Sequence, residues 1–372
     1  MIMMLVLPLK GGLRRMTRGP DDEVYDDILG RVSSGNAILF LGAGSTAKCK
    51  REDGQLGVTG SELAKAILRK LVKGNQLALK DHQVPALMEA AEYFQSNIGR
   101  SELDAFVSER LRDLRPSLGH YLAASFPWKA VITTNYNTVA ELAWSEAMRI
   151  GFAARKIVVI RTDHDLVELK RDGDEESDEG GKTINLYKPH GCLTLQSKPA
   201  LRMVITSQDY IKSETIRKTM YRDIRKLAEK YTTVFVGYSL ADYTFRNLYY
   251  RLYLDLGLWA RRSYSVAPIA PALIFKWKSR AMEDMKTTLL NSTFDAFMLR
   301  LVRKRGTLDP QLKEIAKSHW SDVLSSNKGY MSDLHWSDFS TLSSDKGKIG
   351  KERPKKKKRG ARLLAFGGSA LP

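Results

Sequence analysis

The chain is poor in cysteine: Cys49 and Cys192 are the only two in 372 residues. Two thiols cannot build a disulfide framework or a four-cysteine zinc site, so a zinc ribbon is excluded and a reducing cytoplasm is the compartment that fits. Long apolar runs are also missing, with nothing near the ~18 residues of a membrane span. The closest stretch, Met1 to Leu9, has no basic residue before it and is followed by Lys10, Arg14 and Arg15, the wrong order for a secretory signal. Met16 offers an alternative start of translation, which would make the residues before it a start-site artefact. Acidic charge is the third scarcity: 42 Asp and Glu face 60 Lys and Arg, a net +18. Much of that excess lies at the ends. Residues 1–19 hold four cations and no acid, and residues 351–362 hold eight against one, leaving about +7 for 20–350.

What is present is a hydrophobic content of 43%, enough for a sizeable core. Val24, Ile28, Leu29 and Val32 are spaced as on an amphipathic helix, and Ala37 to Leu41 reads as a strand buried on both faces. Helical periodicity then fills Ser61–Lys73, Pro85–Ser96, Ser101–Leu114 and Leu118–Phe126, an insertion at about 59–127. Further strands are expected at Ala130–Thr134, Lys156–Arg161, Ile184–Tyr187, Val234–Val236, Ser263–Val266 and Thr287–Leu290. Helices are expected at Thr138–Met148, from Asp242 through Leu256, near Lys276–Lys286 and at Phe294–Arg303. Six acids in residues 172–179, followed by Gly180-Gly181, mark a solvated loop. This alternation predicts an α/β fold, Rossmann-like, with a mostly parallel sheet, helices on both faces and an inserted helical subdomain. Beyond Gly306 apolar periodicity weakens, so 307–372 is expected to be a polar C-terminal region ending in a disordered basic tail. It holds a near-repeat, His319-Trp320-Ser321-Asp322 and His335-Trp336-Ser337-Asp338, to which no function is assigned.

In an open parallel sheet, ligands bind beyond the carboxyl ends of the strands. Four polar clusters occupy such ends: Gly42-Ala43-Gly44-Ser45-Thr46, Thr133-Thr134-Asn135-Tyr136-Asn137, Lys188-Pro189-His190-Gly191 and Gly237-Tyr238-Ser239-Leu240-Ala241-Asp242. The glycines after the first strand allow close backbone approach to a pyrophosphate, with free N–H groups facing the anion, or else a tight strand exit. Glu62 stands about where a dinucleotide-binding dehydrogenase carries its ribose-binding acid, but it falls in a helical pattern, which weakens a hydride-transfer reading. Simpler roles stand beside the functional ones. His190 could be a structural turn residue, Asn135 or Asp242 a helix cap, and Cys192, Tyr249, Tyr250 and Tyr253 packing.

In this order and at these spacings, the four motifs resemble the sirtuin-like family, specifically its zinc-free bacterial branch of NAD-cleaving enzymes, over about residues 20–306. The resemblance implies Asn135 and His190 as the catalytic pair. It implies Gly42, Ala43, Gly44 and Ser45 on the NAD phosphates, Thr133 and Thr134 beside the substrate, and Gly237 and Ser239 on the adenosine side. NAD is then substrate and no metal is expected. Asn137 departs from the Asp usual at that position, though it can cap the following helix as Asp would. Without a four-cysteine module, NAD hydrolysis is expected in preference to protein deacylation. The resemblance further implies an effector of antiphage defence that depletes NAD, with a homo-oligomer or a defence-system partner protein. A catalytically idle NAD or ADP-ribose sensor is the alternative, as is a nucleic-acid-binding component. The basic tail suggests nucleic acid, an import signal or no partner at all. No membrane association is expected.

Overall fold

A computed structural model describes residues 21–73, 85–153, 155–171, 183–195, 202–238, 249, 251–256, 260–268 and 286–343. Ser239, Asp242, the acidic run 172–179, most of the helix expected at 276–286, the first nineteen residues and the basic tail lie outside them. In chain order, α1 (Asp22–Ser33) leads to β1 (Ala37–Leu41), followed by α2 (Gly60–Lys73), α3 (Leu87–Asn97), α4 (Arg100–Leu111) and α5 (Leu118–Ala124). Next come β2 (Val131–Thr133), α6 (Val139–Ile150), β3 (Lys156–Ile160), α7 (Asp163–Arg171) and β4 (Thr183–Tyr187). Then α8 (Ser207–Ile216), α9 (Lys218–Lys230), β5 (Thr232–Val236), α10 (Arg251–Leu256), β6 (Ser263–Ala267) and β7 (Thr287–Asn291) follow. The last described elements are α11 (Phe294–Arg305), α12 (Pro310–Ser326) and α13 (Trp336–Ser340).

The seven strands form one sheet, β3-β4-β2-β1-β5-β6-β7, and every pairing in it is parallel. Strand alternation sorts its side chains between two cores. Ala37, Leu39 and Leu41 of β1 join Val234, Val236, Ile184 and Leu186 in a core closed by α1, α5, α6, α11 and α12. Ile38 and Phe40 join Ile132, Phe235 and Tyr187 on the opposite face, under Leu166 of α7, Met220 and Ile224 of α9, and Leu252 of α10. The Rossmann-like α/β architecture, with helices on both faces, is therefore present.

Helices α2, α3 and α4 have a third core of their own, around Leu63, Ile67, Phe94, Leu103 and Val107. This inserted subdomain is narrower than the expected stretch, because α5 packs into the sheet core through Leu118 and Leu122. Past Gly306 the structure departs from the polar reading up to residue 343. Leu308, Leu312, Ala316, Val323, Leu334 and Phe339 bury against the first core, and the near-repeat brings Trp320 and Trp336 edge to face at 5.3 Å. Only three side chains of the 17-residue α12 are buried, Leu312, Ala316 and Val323, which is why its periodicity is faint in the sequence.

Candidate active site

The chain leaves β1 for β2 on one side and later enters β5 on the other, so the topological switch lies between β1 and β5. The four motif-bearing strands, β4-β2-β1-β5, are contiguous. Phe40 pairs with Ile132, Ile132 with Tyr187, and Phe40 with Phe235. Three residues beyond that row in the chain come Ala43, Asn135, His190 and Tyr238, in the loops that leave four strands spanning about 15 Å at normal strand spacing.

The β1 and β5 loops meet backbone to backbone. A Cβ on Gly42 would lie 2.4 Å from Tyr238 Cα, and one on Gly44 would lie 2.8 Å from Gly237 Cα. Gly237, at φ +59°, would place a Cβ 2.3 Å from the Ser45 nitrogen. The glycines are thus required by each other, which fits the tight strand exit weighed beside the pyrophosphate reading. The free N–H groups that the pyrophosphate reading expects are, at Gly42, Gly44 and Ser45, engaged by protein. The Gly42, Gly44 and Ser45 amides donate to the carbonyls of Val236, Gly237 and Gly42 at 2.9, 2.8 and 2.9 Å. Ala43 and Gly44 are half-buried and Ser45 is buried, with its hydroxyl donating to the Gly42 carbonyl at 2.7 Å.

Asn135 is held at both ends of its loop. Its amide Nδ2 donates to the Gly42 carbonyl at 3.0 Å and to Ser45 Oγ at 3.3 Å, joining the second motif to the first. Its backbone N–H donates to Thr133 Oγ1 at 3.1 Å, while that hydroxyl donates to the Leu41 carbonyl at 2.9 Å. Thr133 therefore has its hydroxyl engaged on both sides by protein, and the Thr134 amide donates to the same carbonyl at 3.3 Å. Asn137 Oδ1 accepts from the Val139 amide at 3.4 Å, the capping role available to it.

Tyr136 turns away from these residues into the core of the inserted helices, where its hydroxyl donates to the Val204 carbonyl at 2.6 Å. Val204 N in turn donates to the His190 carbonyl at 2.9 Å. The His190 ring stands edge-on to Tyr210 of α8, 5.2 Å between centroids. The following Gly191 adopts φ +83°, and its α-carbon faces the Arg202 carbonyl and the Arg217 guanidinium. Arg217 is buried, which pushes its pKa down, and its Nε donates to the Arg161 carbonyl at 3.2 Å. Arg100 of α4 fastens the inserted helices to this side, donating to Asp209 of α8 at 2.7 Å and to the Met203 carbonyl at 2.7 Å. Burial pushes the Asp209 carboxyl up, but the Thr206 amide and Arg100 outweigh it and hold it below the usual carboxylate range.

Ser45, Asn135 and His190 are 2%, 8% and 3% exposed, whereas Ala43, Gly44 and Thr134 are half-buried. All four loop ends are marked in the sequence by their polar clusters, but what ties them together is not. Lys188, fully buried, donates from Nζ to Glu141 of α6 at 2.7 Å and to the Asn137 carbonyl. The signal available was a lysine directly after an apolar strand, a place where an unpaired charge would be costly. Among the described residues, His164, Asp165 and Glu168 bring one donor each within 4.8 Å. Asp165 already accepts from the Arg161 and Thr162 amides, and the group carries no argument for a metal.

A family model described as a SIR2-like domain matches residues 129–286, a little under half of the chain. That stretch includes Asn135, His190 and Gly237, whereas Gly42 to Ser45 precede it. No curated protein matches the chain. Similarity to the sirtuin-like family is thus supported from β2 to the residue before β7. No described helix is long and apolar enough to cross a membrane.

Proposed function

We propose that the protein is an NAD hydrolase of the zinc-free, sirtuin-like kind, cleaving the nicotinamide–ribose bond to give nicotinamide and ADP-ribose. The observation that carries this reading is the register: Asn135 and His190 stand three residues beyond a paired row on adjacent strands, inside the stretch similar to SIR2-like domains. The C1′–N bond breaks with its electron pair going to the nicotinamide nitrogen, which leaves neutral, so no general acid is needed. The remaining demand is to stabilise an oxocarbenium-like centre and deliver water to C1′. Asn135, fixed by Gly42 and Thr133, would orient a ribose hydroxyl or the water. His190 would take the proton released as the water oxygen bonds to C1′.

The engaged amides of Gly42, Gly44 and Ser45 and the burial of the Asn135 and His190 side chains suit a resting arrangement that NAD would have to rearrange on binding. Such a state suits an effector held quiet until a partner, a second copy of the chain or NAD itself rearranges it, as in antiphage defence. The same arrangement favours a second reading, an idle sensor of NAD or ADP-ribose. Turnover separates the two. Pure protein incubated with NAD over a range of protein concentrations should release nicotinamide and ADP-ribose in equal amounts. Tight NAD binding with no nicotinamide at any concentration favours the sensor.

A further inference from the structure

The Lys188–Glu141 pair is an uneconomical way to fill a core. An ammonium with no exposed surface and a carboxylate that is 12% exposed lose several kcal/mol of hydration, and an apolar pair of the same volume is often as stable or more so. One carboxylate oxygen, Glu141 Oε2, has no hydrogen-bond partner among the described residues, so within them the pair is not fully satisfied. What an apolar pair cannot do is hold a carbonyl. Lys188 Nζ donates to the Asn137 carbonyl, two residues past Asn135, while Lys188 itself stands two residues before His190. Glu141 lies in the first turn of α6, the helix that starts just past Asn137, and receives the same ammonium. A second tie joins the same two loops, from the Leu193 amide to the Tyr136 carbonyl at 2.9 Å. A third contact comes from Cys192, whose sulfur is 4.0 Å from Glu141 Oε1 and accepts from Thr194 Oγ1 at 3.3 Å.

We propose that Lys188 and Glu141 are positioning residues that set the spacing between the Asn135 loop and the His190 loop. The inference rests on the NAD-hydrolase reading for its kinetic consequence but not for its structural one. A displacement of about 1 Å between reacting groups can cost on the order of 10²-fold in rate without weakening substrate binding elsewhere. The pair should therefore act on kcat and leave KM for NAD nearly unchanged.

The test removes both charges together, because Lys188→Met alone strands a buried carboxylate and can unfold the protein. In Lys188→Met/Glu141→Leu the thermal midpoint should stay near wild type, kcat should fall tenfold or more (on the order of 10–10²-fold) and KM should move less than about threefold. Amide hydrogen exchange should quicken at 135–138 and 190–193 and nowhere else. A well-folded double variant with wild-type kcat and wild-type exchange in both loops overturns the proposal. Two further variants decide the matter should that double variant not fold. Glu141→Gln keeps an acceptor opposite Nζ and should retain kcat within about threefold, whereas Lys188→Met/Glu141→Gln, which strands no charge but loses the hold on the Asn137 carbonyl, should not; equal rates overturn the proposal. If wild-type protein releases no nicotinamide, the hydrolase reading fails by itself. The exchange measurement then stands alone, and unchanged loops overturn the positioning role.

Discussion

The two halves of the candidate site are built from opposite materials. Beyond β1 and β5 the contact is main chain on main chain, with Gly42, Gly44 and Gly237 interlocked and the Gly42 and Gly44 amides donating across the seam to the Val236 and Gly237 carbonyls. Beyond β2 and β4 one main-chain bond, Leu193 amide to Tyr136 carbonyl, is joined by side chains: the Thr133 hydroxyl, the Asn135 amide, the Tyr136 hydroxyl and the Lys188 ammonium. The glycine half has no side chain to exchange, so damage there is damage to folding. The other half can be altered one group at a time, and there chemistry separates from stability.

The largest effect should come from breaking the glycine half. Gly237→Val demands a positive φ from a β-branched residue and drives a Cβ into the Ser45 nitrogen, so a loss of roughly 3 kcal/mol or more is expected. Gly35 supplies the control: it has φ +69° with nothing within 4 Å, and Gly35→Ala should cost only about 1 kcal/mol. Denaturant unfolding measures both. Comparable losses would mean that backbone angle alone, and no clasp between the loops, explains Gly237.

In the side-chain half, Asn135→Ala and His190→Ala should each lose on the order of 10²-fold in nicotinamide release while remaining folded. NAD affinity should weaken modestly, since neither residue is assigned to the phosphates or the adenosine. A His190→Ala protein that unfolds would return that histidine to a structural role beside Tyr210. One that folds and turns over at the wild-type rate would remove it from the chemistry.

A buried network between α5 and α11 gives a pH signature. His120 is fully buried, with Nδ1 3.1 Å from Ser117 Oγ and 3.9 Å from Cys49 Sγ, and burial pushes its pKa down from 6.5 to about 3. A depressed folded-state value means that the neutral form is favoured by folding. Its contribution is complete above about pH 6.5 and is lost as pH falls toward 3, at up to about 1.4 kcal/mol per pH unit. Asp295, which accepts from Ser117 Oγ and the Gly119 amide, is pushed the other way by burial, so its contribution grows as pH falls. Comparing wild type with His120→Asn cancels most of that opposing part. The acid-side decline in thermal midpoint should be shallower in the variant; parallel curves would show that His120 is not the group responsible.

How much of this was legible follows from the range of the interactions. Every strand end that carries a motif was readable, because an unbroken apolar run such as Ala37–Leu41 stopping at a polar cluster is a local pattern. The helices α7, α8 and α9 were not read at all, although Met220, Ile224 and Ala228 of α9 do repeat every four residues. The glycine clasp was illegible because its halves lie almost two hundred residues apart, and a tight turn or a phosphate would ask for the same residues. The Lys188–Glu141 pair was hidden for the same reason, since spacing in sequence says nothing about two loops on neighbouring strands. Thr133 shows the limit most plainly: its place in the motif was read, but its partners lie on β1 and on its own loop.

That residue provides the smallest and most discriminating change. Thr133 Oγ1 both accepts from the Asn135 amide and donates to the Leu41 carbonyl, so it links the two halves through one oxygen. Thr133→Ser keeps the oxygen and loses a methyl group, and should cost well under about 1.5 kcal/mol with turnover nearly intact. Thr133→Val keeps the shape and loses the oxygen, leaving a buried amide and a buried carbonyl without this partner, at about 1–3 kcal/mol. If the hydroxyl positions Asn135, Val should also slow nicotinamide release severalfold beyond anything seen in Ser, at an unchanged KM. If instead the hydroxyl meets the substrate directly, the Val variant should raise KM. The ratio of the two kinetic constants in the Val variant therefore says which half of the site this threonine serves.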